Sequence, residues 1–149
     1  MKMHGILVAT DGSRVAQKAV RYASGLARKL GVSVTLLEVV DVASLIAAGT
    51  SPPVMPGNIL METKDLLRRA ASERLDLVMA EFKKRGLRVR KAVRVGSAAE
   101  EIVKEAKRIR ADLIILGSHG RSALKAAVLG SVAYGVIHRA STPVLIVQK

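Results

Sequence analysis

The sequence predicts a doubly wound α/β fold, five parallel strands with helices on both faces. Three observations carry that prediction. Ile6 to Ala9, Val32 to Val40, Leu113 to Leu116 and Val144 to Val147 are apolar along nearly their whole length, as strands covered on both faces are. Between them lie longer stretches whose apolar residues recur three and four apart, the period of an amphipathic helix. Leu87 to Val95 instead alternates apolar and basic residues over most of its length, which marks a half-exposed strand at a sheet edge.

Taken in order, Ile6-Leu7-Val8-Ala9 is the first strand, ended by Thr10-Asp11-Gly12-Ser13. Ser13 is placed to cap a helix whose stripe Val15, Ala19, Tyr22, Ala23 and Leu26 is expected to be buried. Lys29-Leu30-Gly31 stops it, with a cation in the last turn and glycine just beyond. After the second strand, residues 41–58 hold Pro52-Pro53 and Pro56-Gly57 and read as irregular, either a surface excursion or a lid over a ligand. A long helix follows from Ile59 to Arg85, with Leu67, Ala71, Leu75, Val78 and Phe82 toward the core and Gly86 at its end. Beyond the basic strand, Ser97 and Glu100 have the spacing of a capping box for a helix that buries Ala99, Ile102, Val103 and Ala106. The fourth strand runs into Gly117-Ser118-His119-Gly120, then a helix to about Arg139 that Gly130-Ser131 interrupts. Pro143 opens the last strand, where its missing amide is tolerated.

Strands alternating with helices, with no internal repeat and no linker, predict one Rossmann-like domain over residues 1–149. With the basic third strand at an edge, the natural order is 3-2-1-4-5. Its reversal point lies between strands one and four, where such sheets bind ligands at the carboxyl ends of the strands. Asp11 and Gly117 fall there. Gly117 and Gly120 fit a backbone cradle for phosphate, and Gly130-Ser131 adds amides and a hydroxyl. Arg121 adds charge. Asp11 suits the hydroxyls of a sugar, or else caps the next helix. Gly120 read alone is a turn, and Gly130 read alone is a site of close helix packing. His119 touches phosphate, acts as a base with Asp11, or bonds a carbonyl within its loop.

Composition narrows the classes. The chain has no cysteine, which excludes disulfides and thiolate metal sites and fits a cytoplasmic setting. No apolar run approaches the roughly 18 residues of a membrane span. Phosphate-loop, dinucleotide, nucleophile-elbow and zinc-protease motifs are absent, and no carboxylate cluster stands ready for metal. A Mg²⁺ or Mn²⁺ would ride mainly on the phosphates of a ligand. The net charge of +13 concentrates between Arg68 and Arg94. Such a face suits an anionic partner, but with Tyr22, Phe82 and Tyr134 the only aromatics it offers no stacking platform for nucleic acid.

The spacing G-x-x-G, nine residues, then G-[ST], present as Gly117, Gly120, Gly130 and Ser131, resembles the ATP-binding signature of the universal stress protein family. The resemblance extends from Thr10-Asp11 through Leu36 to Asp41 and Val95-Gly96 to the closing Ser141 to Val147. It implies bound ATP and a homodimer paired through Val144 to Val147. It also implies that Asp11 contacts ribose, that Ala9, Thr10 and Val39 line an adenine pocket, with Leu116 beside it, and that Gly117, His119, Gly120, Gly130, Ser131 and Val132 surround the phosphates. One departure is Glu38, where many members carry histidine; facing the pocket, it would repel phosphate. The expected function is nucleotide-dependent regulation in stress response. A slow ATP hydrolase or nucleotidyl transferase using Asp11 or His119, and a basic-surface binder of nucleic acid or acidic partners, are the alternatives.

Overall fold

A computed structural model describes residues 3–47, 49, 56–121 and 129–148. The elements are β1 (Gly5–Ala9), α1 (Arg14–Leu30), β2 (Ser33–Val40), α2 (Val42–Ala47), α3 (Gly57–Lys84), β3 (Val89–Val95), α4 (Ala98–Arg108), β4 (Leu113–Gly117), α5 (Ser131–Arg139) and β5 (Val144–Val147). All five strands are parallel, in the order β3-β2-β1-β4-β5. The predicted order and edge strand are both observed.

The apolar runs explain the layering. Alternate residues of each central strand face opposite layers, so a strand apolar throughout feeds two cores. Ile6, Val8, Val34, Leu36 and Ile115 pack under Ala19, Ala23 and Ala27 of α1 and Leu75 and Phe82 of α3. Leu7, Leu37, Ile114 and Leu116 pack under Ile102, Val103 and Ala106 of α4 and Ala133 and Val136 of α5. The small stripe of α1 lets that helix lie close to the sheet. Gly31 ends it in the left-handed conformation, with φ 68°, where a side chain would be strained.

Four expectations need correction. Tyr22 is half exposed, and the buried face of α1 is Val15, Ala16, Ala19, Val20, Ala23, Ser24 and Ala27. The seam took the small residues, and the phenol stayed in water. Ser97 precedes α4, yet its side chain makes no capping bond. The first amide of α4, on Ala98, lies 3.4 Å from Asp41 Oδ2, while Asp41 Oδ1 accepts from Ser44 in α2. One carboxylate thus serves two helix starts, and the local box is not used. Within 41–58 a short helix, α2, takes the place of part of the expected irregular stretch; residues 48 and 50–55 of the expected excursion or lid lie outside the described residues. Finally, Arg121, just after the glycine stretch, is not helical and α5 begins at Ser131; the expected helix across 122–128 lies outside the described residues.

Among the described residues, the acidic side chains of Glu38 and Glu105 are buried within reach of cations. Glu105 on α4 accepts from Arg94 of β3 at 3.0 Å and from Arg108 at 2.9 Å. The Arg108 hydrogen bond is the chief reason its carboxyl sits below the ordinary range; burial opposes this and Arg94 adds to it. A depressed carboxyl stabilises the fold above its unfolded value, about 4.3, and loses that contribution as pH falls through the folded value. Glu105→Gln is expected to cost about 1–2 kcal/mol at neutral pH, discounted because both arginines reach solvent. It should also flatten the acid side of the stability curve. Urea unfolding from pH 3 to 7 checks this (the window bracketing the ordinary carboxyl range); an unchanged acid slope counts against it.

Candidate nucleotide crevice

β1 and β4 are adjacent, and the strand order reverses between them. Their carboxyl ends release the two loops that matter. The first is 10–13, built by local bonds: Thr10 N donates to Leu37 O, Gly12 N to Thr10 Oγ1, and Ser13 N to Asp11 Oδ1 at 2.9 Å. Gly12 has φ +78°, which lets the chain turn into α1, and Ser13 Oγ accepts from Ala16 N as the expected cap.

The second loop begins at Gly117. Ser118 is buried; its amide donates to Val147 O, and its hydroxyl lies 3.0 Å from His119 Nδ1. Arg121 then returns to the first loop. Its amide donates to Asp11 Oδ2 at 3.0 Å and its Nε to the Asp11 carbonyl at 2.6 Å. From the far side, Gly130 N donates to Ser118 O at 2.7 Å, which ties the start of α5 to the same loop. Asp11, Gly120, Arg121 and Gly130 are therefore one assembly.

The glycines do different work within it. A Cβ on Gly120 would fall 2.7 Å from Asp11 Oδ2, so the missing side chain is what leaves room for that carboxylate. A Cβ on Gly130 would fall 3.1 Å from Ser118 O and 3.3 Å from His119 Cα, so this glycine permits close packing of α5 against the loop. A Cβ on Gly117 would meet Val15 Cγ1 at 2.8 Å and the Ala16 amide nitrogen at 3.2 Å. That residue is a contact point between β4 and α1.

The other expected site residues separate by environment. Thr10 and Val39 are partly buried at the strand ends; Ala9 and Leu116 belong to the core under α4 and α5, with Val39 packed against it. Leu116 presents a core side chain. Ser131 and Val132 open the first turn of α5 and are exposed, and His119 is partly buried. Glu38 lies on the α1/α3 face, almost wholly buried, where Arg74 of α3 pairs with it and Arg121 Nη2 approaches to 3.8 Å. Its charge is compensated, so it does not act as an isolated carboxylate beside phosphate. Sequence reasoning passed over Ser118 and Arg74. The first sits inside the glycine motif, a usable signal; the second lies 36 positions from its partner and gave none.

The match to known proteins is broad. The universal stress protein family model covers residues 3–148. The chain belongs to the universal stress protein family. Universal stress protein MJ0531 of Methanocaldococcus jannaschii is 33% identical over 145 residues, 97% of this chain and 81% of that protein. Universal stress protein MJ0577 of the same organism is 33% identical over 154 residues, covering 97% and 94%. The solved structure of MJ0577 superposes with a TM-score of 0.87 at 31% identity, covering 100% of this chain and 98% of that one. A universal stress protein from Archaeoglobus fulgidus, solved in complex with dAMP, shares the fold with a TM-score of 0.64 at 23% identity, covering 99% of each chain. Among the described residues no helix is long and apolar enough to cross a membrane, and no three His, Cys, Asp or Glu side chains converge as metal ligands.

Proposed function

We propose that this universal stress protein is a nucleotide-binding regulatory module of the stress response, holding ATP across the β1–β4 crevice. The observation that carries the reading is the meeting of Asp11 with Gly120 and Arg121 at the sheet's reversal point, with Gly130 tied to Ser118 of the same loop. Asp11 accepts from the ribose hydroxyls: a carboxylate offers about four lone-pair positions, and among the described residues Ser13 and Arg121 use two. Thr10 and Val39, partly buried at the strand ends, flank the base, with Ala9 and Leu116 behind them in the core. Gly117, Gly120 and the amides of the first α5 turn, Ser131 and Val132, meet phosphate, with His119 and Arg121 alongside. Bound ATP supplies the module with a triphosphate charge and carries any Mg²⁺ or Mn²⁺, since the described residues converge on no metal cluster.

The A. fulgidus neighbour holds a nucleoside monophosphate within the same fold, so the assay compares ATP with AMP. Mass spectrometry of ligand released from the purified protein is expected to find ATP. Finding no nucleotide, together with no ATP binding by calorimetry, would overturn the reading.

The module pairs with a second copy through β5. That strand is at the sheet edge and wholly apolar, and Tyr134 and Ile137 of the neighbouring helix are exposed. Pro143 and Val147 carbonyls face β4, so alternation turns the Ile146 amide outward. Ile146→Pro removes an outward donor and should leave monomers in sedimentation equilibrium. A persistent dimer in that variant counts against this interface.

A further inference from the structure

The opposite sheet edge has a different character. Among the described residues β3 pairs only with β2, so its outer side is open. Arg88 O accepts from Val34 N and Gly96 N donates to Val40 O, so the even-numbered residues between them face β2. Val89, Lys91, Val93 and Val95 accordingly turn their amides and carbonyls outward. Arg94 Nη1 donates to the Val93 carbonyl at 3.0 Å, which closes the pairing line there. What remains is a short run from Val89 to the Val93 amide.

Beside that run lies a cleft of about 500 Å³ between α3 and β3, lined by Asp65, Arg68, Arg69, Ser72 and residues 91–94. Lys91 is engaged by Ser72 and Asp76. Arg68 and Arg69 are exposed and form no ion pair among the described residues, and neither does exposed Arg90 on the strand's other face. From Arg68 to Arg94 the chain carries ten cations against three carboxylates. Keeping so many like charges together disfavours the isolated fold, and an anionic partner relieves the repulsion.

We propose that the β3 edge docks an extended acidic segment of a partner protein, which adds as a sixth strand. Its main chain pairs with Val89 to Val93, and the carboxylates on one of its faces reach Arg68 and Arg69. The edge favours a peptide over nucleic acid because it presents main-chain donors and acceptors in strand spacing. The lining also contains no aromatic side chain for base stacking. This surface shares no residue with the nucleotide crevice, so its occupancy and that of the crevice are read separately.

The test is fluorescence anisotropy at about 50 mM salt, where surface charge is weakly screened. The probe is a labelled octapeptide alternating glutamate and valine, with its lysine–valine counterpart and an oligothymidylate of equal length as comparisons. The glutamate peptide alone should bind, and Arg68→Glu with Arg69→Glu should weaken it by roughly tenfold or more. Lys91→Pro, which deletes an outward amide, should weaken it similarly while circular dichroism stays unchanged. Amide shifts on titration should centre on Val89, Lys91 and Val93; these and the arginine variant decide the matter should Lys91→Pro not fold. No binding by the glutamate peptide, binding indifferent to the arginine reversal, or equal binding of the oligonucleotide would each overturn the proposal.

Discussion

Gly117→Ala is expected to destabilise the fold by about 2–3 kcal/mol, near the upper range for overpacking a well-filled interior. The added methyl would stand 2.8 Å from Val15 Cγ1 and 3.2 Å from both the Val15 carbonyl carbon and the Ala16 amide nitrogen. Valine is β-branched and holds one preferred rotamer in a helix, so it cannot swing clear. The Ala16 amide is already committed to Ser13 Oγ, so moving it also strains the cap. Relief requires separating α1 from β4 at the very place where the two crevice loops emerge. For a chain of this size the melting temperature should fall by about 5–10 °C. Gly25→Ala is the internal control: a Cβ there meets nothing within 4 Å, and the helix interior favours alanine by up to about 1 kcal/mol. The same chemical change should therefore shift urea midpoints in opposite directions at the two positions. A Gly117→Ala midpoint within about 0.5 kcal/mol of the parent would show that the seam yields.

That contrast explains what could be read from the sequence. Continuous apolarity in β1, β2 and β4 and alternation in β3 reported which strands are covered and which is at the edge, because burial acts on residue type directly. The reversal point, and with it the pairing of Asp11 with the glycine stretch, followed from that order. The division of labour among the glycines did not follow, since G-x-x-G spacing is blind to whether a neighbour is Val15, Asp11 or the Ser118 carbonyl. Tyr22 failed for a related reason: its spacing suits a buried stripe, but α1 seals against the sheet with alanines. The Ser97 box lost to Asp41, which lies across the sheet end from α4 and reaches the first amide from there. Helix caps are legible locally only when no distant side chain arrives first. The Glu38–Arg74 pair belongs to the same class, and only the fold shows that the unusual glutamate is compensated.

Asp11→Ala and Gly120→Ala should both weaken ATP binding while leaving the protein folded. They test the proposed site from opposite sides of one contact. Removing the Asp11 carboxylate deletes the acceptor for ribose; hydrogen bonds to a charged group contribute about 1.5–3 kcal/mol each, so affinity should drop by roughly 10- to 100-fold. Gly120→Ala keeps the carboxylate but puts a methyl 2.7 Å from Oδ2. The atom displaced is the end of a short, partly exposed side chain, so stability changes by less than about 1 kcal/mol while the carboxylate leaves its position. Inorganic tripolyphosphate separates sugar from phosphate recognition. Its affinity should be unchanged or higher in Asp11→Ala, where a negative charge has gone, because the proposed site meets phosphate with the second loop and α5. Gly130→Ala should differ: the methyl presses on the Ser118 carbonyl and His119 Cα, which disturbs the proposed phosphate loop and weakens both ligands. Calorimetry of ATP and tripolyphosphate against the three folded variants gives this matrix. Loss of tripolyphosphate but not ATP in Asp11→Ala would mean that the carboxylate does not face the sugar, and the orientation of the nucleotide in the crevice would have to be turned round.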